Sequence, residues 1–161
     1  MSVPAGHDDD RRALDLVCEL AARAAGDGGG PFAALVLHDG AELGRGTNRV
    51  THDLDPTAHA EVVALRAAAR ARGSFDLSGA TLYASCQPCP MCLAAAWWAR
   101  VGRILYAATT ADAAAAGFDD LAFHEALAGR TPMPVAPRHV PVPAAALPFA
   151  TWAANPRRVE Y

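Results

Sequence analysis

The chain has 161 residues, 52% of them hydrophobic and 19% charged, so it is long enough for one well-buried domain and too apolar to be disordered. Its formal net charge is −3, and all 14 basic residues are scattered arginines, which argues against nucleic acid as a partner and favours a small molecule. No apolar run reaches the roughly 18 residues of a membrane helix, and no secretion signal is visible, so we expect a cytoplasmic protein without membrane association.

Residues 9–25 predict the first helix, with aspartates at its start and Gly26 just past its end. Its apolar stripe consists of Leu14, Val17, Cys18, Leu20 and Ala21. Because Cys18 falls on this stripe, we expect it to be a core residue without a chemical role.

A hairpin and a second helix follow. The stretch FAALVLHDGAELGRGTNRV predicts two strands joined at residues 38–40, because Asp-Gly is a strong hairpin signal. The stretch DPTAHAEVVALRAAARARG then has helical periodicity, with Thr57 as its predicted N-cap and Gly73 as its terminator.

Strands and helices alternate over the next 40 residues: ATLYAS is a strand, PCPMCLAAAWWARV a helix, RILYAAT a strand and TADAAAAGF a short helix. This alternation predicts an α/β domain whose sheet is covered by helices on both faces. From Thr131 the chain is Pro-rich, which excludes a long helix and predicts an extended arm. We therefore expect a domain over residues 1–130 and an arm over residues 131–161.

Two short packets, PTAHAE and SCQPCPMC, carry the residues with chemical potential. Cys89 and Cys92 are spaced i, i+3 at a predicted helix start, where the helix dipole favours thiolates. Together with His59 they offer one nitrogen and two sulfurs to a tetrahedral zinc ion, with the fourth position open as in catalytic sites. Cys86 is the candidate for a fourth ligand, which would make the site structural instead.

Glu61 favours the catalytic interpretation. A structural zinc site does not need a carboxylate two residues after its histidine, whereas a hydrolytic site uses one to move protons between water, ring nitrogen and leaving group. A redox Cys-x-x-Cys pair needs neither His59 nor Glu61. The order H-x-E … P-C-x-x-C is also the signature of zinc nucleobase deaminases.

Beyond these motifs the chain resembles the cytidine deaminase-like superfamily and, within it, the bacterial guanine deaminases. The resemblance covers most of residues 8–161, through GGPFAALVL, GTNRV, DPTAHAEVVALRAA, TLYASCQPCPMCLAAAWWARVGRILYAAT, ADAAAAGFDD and PFATWAANPRRVEY. It implies a three-layer α/β/α fold with a mixed five-stranded sheet, zinc bound by His59, Cys89 and Cys92, and Glu61 as the catalytic proton shuttle. It also implies a homodimer in which the C-terminal segment crosses to the partner's site.

The resemblance further implies a set of residues that bind the base. Asn48 matches an asparagine that contacts the base, Phe32 and Trp98 match flanking aromatic residues, and Asp120 matches an acidic residue near the leaving amino group. The implied substrate-binding residues are Phe32, Asn48, Ala60, Trp98, Asp119, Asp120 and Tyr161. The last of these would belong to the lid formed by the C-terminal segment, over the chain's own site or its partner's.

Gln87 is a departure, because the family usually has a glutamate at this position. The resemblance implies the conversion of guanine to xanthine and ammonia, but the change of charge close to the metal keeps related substrates open: cytosine, an ammeline-like triazine or guanosine. A tRNA adenosine deaminase, which the acidic charge disfavours, and a non-enzymatic zinc-stabilised binding protein are further alternatives.

Some residues have no motif that suggests a role in chemistry. We expect Phe118 to be a packing residue. Five histidines without partner spacing are expected on the surface or in loops: His7, His38, His52, His124 and His139.

Overall fold

The computed structural model describes residues 7–160, which form seven α-helices, four strands and one short 3-10 helix. In chain order these are α1 (His7–Gly26), β1 (Ala33–His38), β2 (Ala41–Thr47), α2 (Val50–Asp53), α3 (Ala60–Arg72), β3 (Thr81–Cys86), α4 (Pro90–Trp98), β4 (Arg103–Ala108), α5 (Thr110–Ala115), α6 (Asp120–Leu127), the 3-10 helix (Pro143–Ala146) and α7 (Leu147–Ala154). None of the helices in this part of the chain is long and apolar enough to cross a membrane.

The sheet is mixed and has the strand order β2-β1-β3-β4. Strand β1 is antiparallel to both β2 and β3, whereas β3 and β4 are parallel. The expectation of five strands is wrong for the described residues, which form four. After β4 the chain forms two helices, and residues 131–143 then contain five prolines, which lack the N–H group that a sheet ladder requires.

Helix α1 covers one face of the sheet through Ala13 and Val17, which pack against Leu35 and Tyr83. Its buried positions follow an i, i+4 spacing, and Cys18 lies one residue outside that row. The expectation that Cys18 belongs to the core is therefore wrong, because its side chain is exposed. The predicted cover of helices on both faces is confirmed by α3, which packs on the opposite face.

Helix α3 lies directly on β2, because two glycines of that strand leave no side chain between the two backbones. A Cβ atom on Gly44 would lie 2.6 Å from Ala68 N, and one on Gly46 would lie 2.4 Å from Ala60 O. Both are backbone atoms of α3, so a side chain at either glycine would force the helix away from the sheet. Since Ala60 is the first residue of α3, the contact at Gly46 determines where this helix begins relative to the sheet.

The C-terminal part of the described chain, residues 131–160, is exposed throughout. Most of it has no regular structure, as the proline content predicts. The 3-10 helix and α7 interrupt it, and neither was predicted. Large apolar side chains in this segment face solvent in the single chain, among them Phe149, which is 76% exposed.

We expect Gly46→Ala to lower the free energy of unfolding by about 3 kcal/mol, because the added methyl group overlaps the backbone of α3. Gly26→Ala is the matched control, since nothing lies within 4 Å of its added Cβ and the substitution favours the helix. Chemical denaturation of both variants measures the difference. Equal midpoints for the two variants would contradict the close contact between α3 and β2.

Candidate active site

Two helix N-termini meet at the predicted metal site, and each is capped by a predicted ligand. His59 is the N-cap of α3, with φ −66° and ψ 153°, and Cys89 is the N-cap of α4, with φ −65° and ψ 167°. Neither side chain caps its own helix by a hydrogen bond, so the imidazole and the thiol remain available to a metal ion. Cys92 and Glu61 follow within the first turn of these helices.

The prediction that Thr57 caps α3 is wrong. The N–H and hydroxyl groups of Thr57 both donate to Asp55 Oδ1, at 2.8 and 2.7 Å. Both polar groups of Thr57 are therefore engaged in a turn with Asp55, before the helix begins. The cap position therefore moves to His59.

The three predicted metal ligands form a nearly equilateral triangle. His59 Nδ1 lies 3.6 Å from both Cys89 Sγ and Cys92 Sγ, and the two sulfur atoms lie 3.6 Å apart. Tetrahedral zinc, with bonds of about 2.3 Å to sulfur and about 2.0 Å to nitrogen, separates its ligand atoms by roughly 3.5 to 3.8 Å. The three side chains therefore fit one zinc ion.

The thiol of Cys89 is already disposed to ionise. Its hydrogen bond with Cys92 and, after the opposing effect of burial, its hydrogen bond with His59 lower the pKa of Cys89 to about 4. The same contact with Cys89 raises the pKa of His59. The thiolate is the form of Cys89 that binds a metal ion, and His59 joins it as a ligand once its imidazole has given up the proton that this contact favours.

Cys86 does not belong to the ligand group. Its thiol donates to the backbone carbonyl of Thr109 at 3.4 Å, and burial is the main reason that its pKa is raised to about 11. In the part of the chain that the structure describes, the group able to hold a metal consists of His59, Cys89 and Cys92. A three-ligand site with an open position matches a catalytic zinc and not a closed structural one.

Glu61 lies beside the metal ligands and is buried, with 8% of its surface exposed. Its Oε2 atom is 3.4 Å from Cys92 Sγ. Burial, which disfavours the charged form, is the main cause of the raised pKa of Glu61. A carboxyl group that gains and loses a proton readily at the metal is suited to general acid–base chemistry.

A cavity of about 160 Å³ opens next to Glu61 and the metal ligands. Besides these, it includes five of the predicted substrate-binding residues in its lining: Phe32, Asn48, Ala60, Asp119 and Asp120. Of the other two, Trp98 is not in this lining and Tyr161 lies outside the described residues. The binding role of each of these residues stays a prediction.

Asn48 is held at the cavity wall by its surroundings. Its Oδ1 atom accepts a hydrogen bond from Val50 N at 3.2 Å, and Gly30 packs so closely behind it that a Cβ there would lie 3.1 Å from Asn48 Cγ. The amide N–H groups of Asn48 are therefore what this side chain can offer to a ligand with acceptor atoms.

The cavity lining also contains residues that the sequence did not assign to binding. Phe118 contacts Phe32 edge to face, with ring centroids 4.7 Å apart and an interplanar angle of 79°. Phe118 therefore packs, as expected, but it also lines the cavity together with Phe123, Cys86 and Gln87. Gln87 Oε1 accepts from Thr110 N at 3.5 Å, which ties the start of α5 to the cavity. The adjacency of Phe118 to the aspartates in GFDD is the one sequence signal that could have revealed its place.

Trp98 lines a second, mainly apolar groove of about 570 Å³ between α3 and α4. Val62 and Leu65 of α3 and Ala95 of α4 line the same groove, and Val159 near the end of the chain reaches it. Trp98 is 59% exposed there. Within one chain, therefore, Trp98 is separated from the five predicted base-binding residues that line the cavity.

Residues 7–108 match the family described as the cytidine and deoxycytidylate deaminase zinc-binding region. The guanine deaminase of Bacillus subtilis is 50% identical over 110 residues, which are 68% of this chain and 69% of that one. The X-ray structure of a guanine deaminase from Bacillus subtilis aligns with 97% of this chain and 99% of its own, with a TM-score of 0.88 and 39% identity.

More distant relatives include two kinds of deaminase. A solved structure of guanine deaminase from Nitrosomonas europaea is 34% identical, with a TM-score of 0.66, and covers 73% of this chain and 67% of its own. A tRNA-specific adenosine deaminase of Haemophilus influenzae is 33% identical over 124 residues, which are 73% of this chain and 72% of that one. Proteins named for different substrates are thus similar to this chain.

We expect the purified protein to contain about one zinc ion per chain and Cys89→Ser to retain less than about a fifth of that, because a serine hydroxyl is a poor zinc ligand. Cys86→Ser is the matched control and should keep its zinc, since Cys86 lies outside the ligand triangle. Elemental mass spectrometry of the folded, dialysed proteins measures the zinc content of both variants and of the wild type. Equal zinc loss in both variants would contradict the three-ligand site.

Proposed function

This chain belongs to the cytidine and deoxycytidylate deaminase zinc-binding family and is a zinc-dependent hydrolytic deaminase, and we propose that it converts free guanine to xanthine and ammonia. The proposal depends most on the small cavity that Glu61, His59 and Cys89 line together with aromatic and amide side chains. A cytoplasmic location, expected from the sequence, is part of the proposal.

His59, Cys89 and Cys92 would hold the zinc ion, which would supply the Lewis acidity that activates a water molecule. Glu61 then moves the protons. One of its carboxylate oxygens accepts a proton from that water and donates it to the ring nitrogen beside the carbon under attack. Glu61 takes the second water proton and donates it to the amino group, which leaves as ammonia when the carbon–nitrogen bond breaks and a carbonyl remains. As a metal ligand Cys92 would be a thiolate without a proton to donate, which would leave Glu61 Oε2 available for this transfer.

A flat, neutral heterocycle matches the rest of the cavity. Its volume of about 160 Å³ is below the roughly 300–1,000 Å³ of sites for drug-sized ligands, which favours a free base over a nucleoside. Phe32 and Phe118 offer aromatic surface, and Asn48 offers N–H groups to the acceptor atoms of a purine. Asp119 and Asp120 offer acceptors to an exocyclic amine.

The relatives support guanine most directly, because the two described as guanine deaminases include the one with 50% identity. Gln87 lies in the cavity lining, so the related substrates left open by the sequence belong in the test. For a tRNA substrate the cavity would have to admit an adenosine flipped out of an anticodon loop.

We expect zinc-loaded enzyme to release ammonia faster from guanine than from cytosine, ammeline, guanosine or a tRNA anticodon stem-loop. Glu61→Gln should bind the same amount of zinc and lose at least about 10²-fold in kcat, because the amide cannot move protons. A coupled ammonia assay with metal analysis of the same samples measures both quantities.

Glu42→Gln serves as the control variant, since Glu42 pairs with Arg45 on the surface of β2 and should leave kcat unchanged. Release of ammonia from the stem-loop but not from any free base would replace guanine by tRNA as the substrate. Turnover of guanine by Glu61→Gln at the wild-type rate would contradict the proton-transfer role.

We further propose that residues 131–161 form an arm that is exchanged between two copies in a homodimer. Three features support this. The arm is exposed along its described length, it carries apolar side chains such as Phe149, and β4 is an edge strand of the sheet. An apolar segment without cover in one chain is stabilised when a second copy covers it.

The groove lined by Trp98 suggests how exchange of the C-terminal arm would contribute to the substrate site. Trp98 and Val159 line it together, away from the chain's own cavity, and Val159 lies two residues before Tyr161. Both Trp98 and Tyr161 are implied at a base site by the resemblance. A dimer in which this surface faces the partner's cavity would complete the partner's substrate site with both residues.

We expect Trp98→Ala to lower kcat/KM by at least about tenfold as a homodimer, because an aromatic face is lost from the base site. Mixed dimers of Trp98→Ala and Glu61→Gln subunits should regain about half of the wild-type activity, because one of their two sites then combines an intact Glu61 with an intact Trp98 from the partner. Activity of purified mixed dimers carrying two different tags measures the rescue. No rescue from two impaired parents would assign Trp98 to its own subunit's site.

A further inference from the structure

The two ends of the cavity come from parts of the chain that are far apart in sequence. The metal end is built by α3 and α4, whose N-terminal turns hold the ligand triangle and Glu61. The acidic end is built by α6, which begins at Asp120 and has only eight residues. The buried residue of α6 is Ala126, so apolar packing gives this short helix little hold on the rest of the domain.

One hydrogen bond joins α6 to the metal-binding segment. His124 Nε2 lies 3.1 Å from the carbonyl oxygen of Pro88, and this contact is partly buried. A carbonyl only accepts, so Nε2 carries the proton. Pro88 is almost completely buried and immediately precedes Cys89, so the acceptor belongs to the rigid part of the site.

His124 and Asp120 are spaced i, i+4 on α6, which places them on the same face of the helix. The contact of His124 with Pro88 therefore holds the helix face that presents Asp120 to the cavity. The expectation that His124 is an ordinary surface or loop residue misses this contact, because nothing in its sequence spacing points to Pro88.

We infer that His124 is a positioning residue: its hydrogen bond to the Pro88 carbonyl fixes the distance between the Asp120 carboxylate and the metal end of the cavity. This inference rests on the proposed function. His124 lies outside the cavity lining, so it acts through Asp120 and not by contact with the substrate.

The first test compares two substitutions at this position. His124→Leu removes the donor and should lower kcat/KM for guanine by roughly 10- to 100-fold, as expected when a reacting group is held in the wrong place. His124→Gln keeps an N–H donor at similar reach and should therefore recover most of the kcat/KM that His124→Leu loses. Zinc content should be unchanged in both, because Pro88 is not a ligand.

His38→Leu is the matched control. His38 lies at the end of β1 next to the hairpin, at the opposite end of the sheet from the cavity. Its replacement should leave kcat/KM within about twofold of the wild-type value. A loss in His38→Leu as large as in His124→Leu would show that the effect is a general one and would overturn the inference.

A double-mutant cycle separates positioning from stability. If His124 acts through Asp120, then His124→Leu should cost less than about twofold in an Asp120→Asn background. An undiminished loss in that background would overturn the inference, as would a His124→Gln variant as poor as His124→Leu.

Amide hydrogen exchange gives a readout that does not depend on turnover. Residues 118–127 should exchange faster in His124→Leu than in the wild type and regain protection in His124→Gln. If amide exchange of residues 118–127 were the same in His124→Leu as in the wild type, the inference that His124 anchors α6 would be overturned. If the wild type released no ammonia from any amino-substituted ring, the proposed function would fail, and the exchange comparison would still decide whether His124 anchors α6.

Discussion

The convergence of two helix N-termini on one point is the constraint on which the rest of this structure depends. Helix α3 reaches that point because Gly44 and Gly46 let its backbone lie against β2. Helix α4 reaches it because it follows directly from β3, which is central in the sheet. His59 and Cys89 occupy the N-cap positions of these helices, where their backbones are extended. Their side chains face each other and make no capping hydrogen bond to their own helices. Partial positive charge at both helix ends stabilises thiolates there.

The same convergence explains the burial of Glu61. A residue in the first turn of α3 faces α4, and the packing of the two helices excludes water from its carboxyl group. Burial raises the pKa of the Glu61 carboxyl group. Its position beside the ligand triangle suits this group to proton transfer. The close contact between α3 and β2 therefore also fixes the position of Glu61 beside the ligand triangle.

The opposite side of the cavity is held differently. Its helices α5 and α6 are attached to the metal-binding segment by polar contacts from three consecutive residues, the thiol of Cys86, the amide of Gln87 and the carbonyl of Pro88. Such contacts leave more freedom than backbone-to-backbone packing does. The side with the closer packing carries the metal-ligand triangle and Glu61, and the less firmly held side carries Asp119 and Asp120.

The sequence by itself predicted the three residues positioned to hold a metal ion, the carboxyl group beside them and the order of the main elements. These depend on local spacing: two cysteines one helical turn apart, a carboxylate two residues after a histidine, and apolar periodicities that distinguish strand from helix. The tertiary structure alone decided the four-stranded sheet, the exposure of Cys18, the place of Trp98 in a separate groove and the contact of His124 with Pro88. Each of these depends on which surfaces meet after the chain has folded, and that information is not contained in the spacing of residues along one segment.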